Sequence, residues 1–243
     1  MEVHLIDYTG AGTPNPARYA ANLLTFVKST RLEMRPSMMK NIEDMTNEAV
    51  YEQLDYVART VPSSWEFIHY TFTINDVTRA FTHQLVRTRT ASYAQQAMRI
   101  QQMKCFAYGI GPTVQEGETR KVYEEAMQGI QDAYDKLIDM GCDVQDARGL
   151  LPTNIHTNIN MSLNLRALVD LVRKRSSTRV QDEYRDVARM MRERVEEVHP
   201  WAAKFFERTV DTAGRELEQK IMECELPLRD RIDMVKLIDQ MRS

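Results

Sequence analysis

Two rhythms of apolar and polar positions run along this chain, one of period two and one of period 3.6, and they divide it into an early mixed part and a later helical part. Glu2-Val3-His4-Leu5-Ile6-Asp7 alternates as a short first strand and ends in the turn-forming Thr9-Gly10-Ala11-Gly12-Thr13-Pro14. Asn15-Pro16 reads as an N-cap with proline at the first helical position, which predicts a helix to about Thr30. Val50, Leu54 and Val57 recur at helical spacing and predict a second helix from Thr46 to about Arg59. From Glu66 to Asp76 the aromatic and β-branched residues Phe67, Ile68, Tyr70, Phe72 and Ile74 favour a strand. Asn75-Asp76 then offers a turn or cap into a helix carrying Val77, Ala80, Phe81 and Leu85. A further strand is expected around Met103 to Tyr108, ended by Gly109-Ile110-Gly111-Pro112.

The second half reads as helical. Val122, Ala126, Ile130, Ala133 and Leu137 mark one long amphipathic helix, closed by Gly141 as a C′ residue. Leu150-Leu151-Pro152 starts a new segment. Helices are expected from about Asn158 to Arg175 and from about Thr178 to Glu207, with Pro200 kinking or breaking the latter. Two short helices finish the chain. No repeat or low-complexity linker divides it, so the reading is one α/β (α+β) domain over residues 1–243 with a helical majority.

Composition narrows the functional classes. A net charge of −3 over 243 residues argues against a general polyanion binder, so any affinity for phosphate must come from local clusters. Cys105, Cys142 and Cys224 lie far apart without a C-x-x-C pair, so neither a zinc site nor a disulfide framework is expected, and they read as reduced thiols of a cytoplasmic protein. No basic segment followed by an apolar run marks a signal peptide, and no run of 18 apolar residues marks a membrane span. Neither G-x-G-x-x-G nor a P-loop is present.

Two clusters carry candidate chemistry. Between Thr82 and Arg99, three arginines (Arg87, Arg89, Arg99) sit among Ser, Thr, Gln and Tyr with no acidic residue. The planar guanidinium fork grips two phosphate oxygens at once, and hydroxyl and amide side chains complete such a site. An Arg-x-Arg on a solvated basic face is the plainer reading. The second cluster holds Arg148, Asn154, Asn164, Arg166, Arg173, Lys174, Arg175, Arg179 and Gln181. There Arg166 and Arg173 are seven apart, as on one face of a helix after two turns. His69 and His83 read as structural residues, since no carboxylate or second histidine stands at metal spacing.

Together the clusters resemble the flavin-dependent thymidylate synthases. That family's signature is Arg-His-Arg, two residues, Ser, one residue, a polar pair, one residue, Ser, one residue, Arg. Here it stands as Arg87-Thr88-Arg89-Thr90-Ala91-Ser92-Tyr93-Ala94-Gln95-Gln96-Ala97-Met98-Arg99, led in by Thr82 to Val86. Glu66 to Phe72 is similar to the family's strand, and Ala147 to Asn154 to its Arg-x-x-Leu-Pro segment. Asn164-Leu165-Arg166, Arg175, Gln181 and Glu183 match its C-terminal pattern.

The resemblance implies a helix-rich domain with a small antiparallel sheet, assembling as a homotetramer with shared sites. Each site would bind FAD and a deoxypyrimidine monophosphate, with methylenetetrahydrofolate and NADPH as co-substrates; no metal, membrane or nucleic acid is expected. By position, Gln84, Arg87, Gln95, Gln96, Ala97, Arg99 and Arg148 would surround the nucleotide. Arg175 would sit against the pyrimidine as the catalytic residue, stabilising negative charge on the ring. Arg87, Thr88, Arg89, Thr90, Asn164, Arg166 and Asp170 map to flavin-contacting positions. Departures cluster at the same site: Thr88 replaces the signature histidine, and Ala94 and Ala97 replace polar residues. Phe67 stands for the histidine after the strand's glutamate, Val61-Pro62-Ser63-Ser64 replaces a Gly-His ahead of it, and Asp170 stands where His or Asn is usual. The main reading is dUMP to dTMP. The alternatives are hydroxymethylation or methylation of dUMP or dCMP by a related flavoenzyme and, from another class, a non-catalytic nucleotide- or RNA-binding module.

Overall fold

The computed structural model describes residues 1–29, 35–175 and 181–207, and of the remainder residues 217, 220–224 and 226–241. The chain parts into two compact units, Met1–Phe206 and Glu207–Ser243. The first unit is built on a four-stranded antiparallel sheet, order β1-β2-β4-β3, from β1 (Glu2–Tyr8), β2 (His69–Thr78), β3 (Ala91–Gln95) and β4 (His156–Asn164).

One face of the sheet is apolar because the central strands alternate strictly. Tyr70, Phe72 and Ile74 of β2 lie directly across from Leu163, Met161 and Ile159 of β4, and all six are buried. Helices α1 (Pro16–Lys28), α3 (Asn47–Thr60), α7 (Leu165–Arg175) and α8 (Asp182–Val198) supply much of the rest of this core. Burying one such side chain contributes about 1.5–3 kcal/mol, so these paired rows fix the register that sets every neighbouring loop. The other face carries Thr71, Thr73, Asn160 and Ser162, with hydroxyl and amide pairs Thr71–Ser162 at 3.1 Å and Thr73–Asn160 at 2.8 Å.

The remaining elements of this unit are α2 (Pro36–Glu43), α4 (Arg79–Leu85), the long α5 (Gly117–Asp139), α6 (Val144–Ala147) and α9 (Ala203–Phe206). The second unit holds α10 (Leu228–Met241), and residues 220–223 are helical as well. Asn15 caps α1, Thr46 caps α3 and Gly141 (φ 85°) ends α5, as the capping residues predict. The ends of two expected helices, at Thr30 and at Thr178, lie outside the described residues, as does Arg179. Pro200 does end α8, through a 3-10 turn.

Four expectations are corrected. The helix expected from Asn158 begins only at Leu165, because His156–Asn164 alternates Thr157, Ile159, Met161 and Leu163 inward and pairs on both edges as β4. The strand expected over Met103–Tyr108 makes a single bridge, Tyr108–Ile155. Its backbone donors go instead to side chains of α5, Met103 N to Tyr134 Oη and Phe106 N to Gln131 Oε1. The strand expected from Glu66 starts at His69, since Pro62–Phe67 winds into a 3-10 turn anchored by Ser64 and Trp65. At its far end β2 runs through a bulge at Asp76 (φ 55°) straight to Thr78, which caps α4. Helix α2 and strand β3 are additional to the elements that the sequence pattern predicts.

Candidate functional site

The site grows from the point where β2 becomes α4. The first turn of any helix leaves backbone N–H groups without intrahelical partners. In α4, Arg79 N donates to the Ile155 carbonyl at 3.0 Å and Ala80 N to the Thr153 carbonyl at 2.7 Å. These bonds draw the turn after α6 against α4. Asn154 fixes the same turn from behind, its Nδ2 donating to the Gly109 carbonyl (3.0 Å) and to Tyr123 Oη (2.6 Å). Gly109 is required there, because a Cβ would come within 2.6 Å of Thr78 Cγ2. Asn154, read from the sequence as a phosphate-site candidate, is thus spent on holding the turn.

Between α4, the end of β3 and this turn opens a pocket of about 680 Å3. It takes Arg79 and His83 from α4, Gln95 to Arg99 from the end of β3, and Gln145, Arg148, Gly149 and Leu151 to Thr153 from the turn. No acidic residue is among them. Five of the residues expected around a nucleotide are therefore together: Gln95, Gln96, Ala97, Arg99 and Arg148. Gln95 is set by its Nε2–H donating to Thr82 Oγ1 at 3.0 Å, and Arg148 by its Nε–H donating to the Gln145 carbonyl at 3.1 Å. Arg79 points its Nη1 at Met98 Sδ, 2.8 Å away. Burial first, and then the neighbouring Arg148 cation, hold the Arg79 guanidinium below its ordinary pKa. A pocket in which two cations repel each other is favourably filled by an anion.

Arg79 and His83 were missed as site residues. Their i, i+4 spacing and their place just ahead of the signature were the available signal, once α4 was known to start at Arg79.

Three expected residues lie elsewhere. Gln84 donates through Nε2 to Gln181 Oε1 at 2.7 Å. Arg87 is exposed in the turn that follows α4. Arg175, at the end of α7, stacks its guanidinium on the buried Tyr184 ring at 4.3 Å.

The positions mapped to a flavin form a second group. The Arg87–Thr90 turn is pinned to β3 by Tyr93, whose hydroxyl lies 2.9 Å from both the Leu85 and Thr88 carbonyls. Burial pushes the Tyr93 hydroxyl up to about 12, so it stays a donor at neutral pH. Because Ala91 pairs with Leu163, Thr90 falls next to Asn164 across the β3–β4 ladder. Asn164 caps α7 through Oδ1, and Arg166 in the first turn of that helix pairs with Glu66 at 2.7 Å. Asp170 is exposed one turn further on. Thr88, Arg89 and Thr90 thus share one sheet edge with Asn164 and Arg166, while Arg173, expected on Arg166's face, donates to the Phe205 carbonyl instead. From Thr90 to Gln96 the chain advances six residues of extended strand, about 20 Å. The two groups therefore occupy opposite ends of β3.

The plainer reading, a solvated basic face, is testable on α8. There Arg185, Arg189, Arg192 and Arg194 each pair with a carboxylate three or four residues away. Arg87, Arg89 and Arg99 have no such partner among the described residues. Exposed cations without carboxylates, gathered at two concave or edge positions, fit anionic ligands better than a solvated face does.

Comparison with known proteins agrees with this chemistry. Residues 4–201 match the family model described as thymidylate synthase complementing protein. The chain is 32% identical over 224 residues to a flavin-dependent thymidylate synthase of Clostridium tetani, covering 84% of this chain and 86% of that one. It is 32% identical over 202 residues to that of Sulfurisphaera tokodaii, covering 82% and 75%. Over 141 residues it is 38% identical to that of Geobacter sulfurreducens, covering 56% and 60%.

Proposed function

We propose, for a chain that belongs to the flavin-dependent thymidylate synthase family, that it is an enzyme converting dUMP to dTMP with a one-carbon unit from methylenetetrahydrofolate. The observation that carries the reading is the acid-free pocket with Arg79, Arg99 and Arg148 around Gln95 and Gln96, formed from two of the segments that resemble the family.

In this pocket the arginines hold the nucleotide phosphate, each charge-assisted hydrogen bond contributing about 1.5–3 kcal/mol. Gln95 and Gln96 offer amide donors and acceptors to the pyrimidine and sugar. Arg175, which lies outside this pocket on the Tyr184 ring, would supply in the assembled site the positive charge that stabilises an anionic ring and so makes C5 nucleophilic. Losing a preorganised donor of this kind costs roughly 10²–10³-fold in rate. Ala97 brings no hydroxyl, so the protein offers no nucleophile at that position and the reaction relies on its cofactor for the difficult chemistry.

The residues at the β3–β4 edge fit a flavin dinucleotide. Arg87, Arg89 and Arg166 match a diphosphate, Thr88 and Thr90 add hydroxyl donors, and the Asp170 carboxylate can accept from a ribose hydroxyl. FAD is the form that a diphosphate cradle implies. When bound and reduced, the flavin supplies the hydride that takes the transferred carbon to the methyl level, with NADPH as the reductant that restores it. Within one chain the cradle and the pocket lie at opposite ends of β3, about 20 Å apart along the strand. That separation supports a homotetramer whose sites combine the pocket of one copy with the cradle of another.

The test is to incubate the protein with FAD, NADPH, methylenetetrahydrofolate and either dUMP or dCMP, and to weigh the nucleotide product. A methyl gain on dUMP is expected. A hydroxymethyl gain, reaction of dCMP alone, or no flavin uptake on titration overturns the proposal.

A further inference from the structure

We propose that Glu183 is a positioning residue of the phosphate pocket, completing from another helix the capping box that holds α4 in place. In an ordinary capping box, a Ser or Thr at the N-cap accepts from the N–H three residues on. A Glu at that third position returns its carboxylate to the N-cap N–H. Helix α4 has only the first half. Thr78 is its N-cap and accepts from Phe81 N at 3.1 Å, but Phe81 has no carboxylate to return.

The missing half comes from α8. Glu183 Oε1 accepts from Thr78 N at 2.7 Å, and its Oε2 accepts from the Thr78 hydroxyl at 2.6 Å. Thr78 is buried, so both of its donors depend on this one carboxylate. With Arg79 N and Ala80 N already bound to the turn after α6, every donor at the start of α4 then has a partner. The orientation of α4 is thereby fixed, and Arg79, the next residue, is held in the pocket with its Nη1 on Met98 Sδ and the Arg148 cation nearby.

Neighbours of Glu183 extend the same tie. Gln181 accepts from Gln84 at the other end of α4. Tyr184 meets Phe81 edge-on, with ring centroids 5.0 Å apart, and carries Arg175 on its face. The first turn of α8 therefore registers the phosphate-binding helix to the arginine expected at the pyrimidine. Glu183 touches no substrate in this scheme and acts through α4.

The inference rests on the reading that the pocket takes a nucleotide phosphate, so its test has one readout that needs no ligand. In the full-length protein, Glu183→Ala is expected to raise the dUMP Kd and KM about tenfold, the loss of one strong cap expressed as affinity. Turnover at saturation should change by less than about twofold. Glu183→Gln, which keeps one acceptor, should recover most of the affinity. Thr78→Val should weaken dUMP binding similarly, and the double variant should be no worse than either single one. Hydrogen exchange at the amides of Arg79 to Phe81 should accelerate in Glu183→Ala while that of α5 does not. Unchanged Kd and KM with a lowered melting temperature, additive losses, or unchanged exchange at those amides would overturn the proposal. A wild-type protein that binds no dUMP refutes the functional reading instead, and the exchange experiment still decides the role of Glu183. Should the alanine variant fail to fold, Glu183→Gln and Thr78→Val carry the same comparison.

Discussion

Replacing Arg79 by glutamine separates binding from stability in a way that few pocket changes can. In the ligand-free protein Arg79 is partly buried beside the like charge of Arg148, with a methionine sulfur as its side-chain contact. Its charge therefore contributes no stability there. Arg79→Gln should leave the folding free energy unchanged or raise it by less than about 1 kcal/mol, the scale of partly exposed charge pairs. With a phosphate in the pocket the sign reverses, because the same guanidinium then makes a charge-assisted hydrogen bond worth about 1.5–3 kcal/mol. That corresponds to a roughly 10- to 150-fold loss in dUMP affinity. Titration calorimetry with dUMP and with deoxyuridine, beside urea denaturation, reads both quantities. Deoxyuridine binding should move by less than about twofold, since it lacks the phosphate. Equal weakening of the two ligands, or a fall in stability beyond about 2 kcal/mol with dUMP affinity intact, would show Arg79 to be a structural residue.

Two further outcomes follow from buried groups. His199 lies fully buried, its Nδ1 2.9 Å from the Tyr70 hydroxyl and its ring stacked on Trp201, and burial holds its pKa down to about 4. Because the folded value lies below the unfolded ~6.5, its contribution is complete above pH ~6.5. It is lost progressively as pH falls towards 4, to a limit of roughly 3 kcal/mol. Urea titrations at neutral and acid pH should show this loss in the wild type and a smaller one in His199→Asn; equal losses would refute it. Tyr184→Phe should be neutral or slightly stabilising, since that hydroxyl is buried without a hydrogen-bond partner among the described residues. Tyr184→Leu, which removes the ring under Arg175, should lower turnover about tenfold in the full assay, and unchanged turnover would mean that the stacked pose is not the working one.

Much of this molecule is legible in the chain because local chemistry and global packing agree. Asn15-Pro16, Thr46 and Gly141 mark helix ends by backbone requirements that no tertiary contact overrides. The β4 strand was equally visible, since Thr157, Ile159, Met161 and Leu163 alternate without exception. The helix expected from Asn158 overruns it, since the helical spacing of Arg166 and Arg173 applies only from Leu165 on. By contrast, Met103 to Tyr108 has strand-like residues but only one bridge, Tyr108–Ile155; α5 side chains take the Met103 and Phe106 backbone donors, a non-local outcome invisible to local propensity. At the site, the signature and the Arg148 turn were legible as residue patterns. Arg79 and His83 were not, because their role depends on where β2 ends and on the Thr153 and Ile155 carbonyls that orient α4. The capping of Thr78 by Glu183 spans 105 positions and could be read only from the fold.

The separation of pocket and cradle along β3 is the feature on which the whole account turns, and mixing inactive variants tests it directly. Arg99→Ala damages the pocket and Arg89→Ala the cradle. Each should abolish dTMP formation in its own homomeric preparation. Co-expressed or refolded together, they should form hybrids in which some sites draw an intact pocket and an intact cradle from different copies, and dTMP formation should return. A mixture that stays as inactive as its parents, although both variants associate, would mean that pocket and cradle serve the same reaction within one copy and would contradict the account.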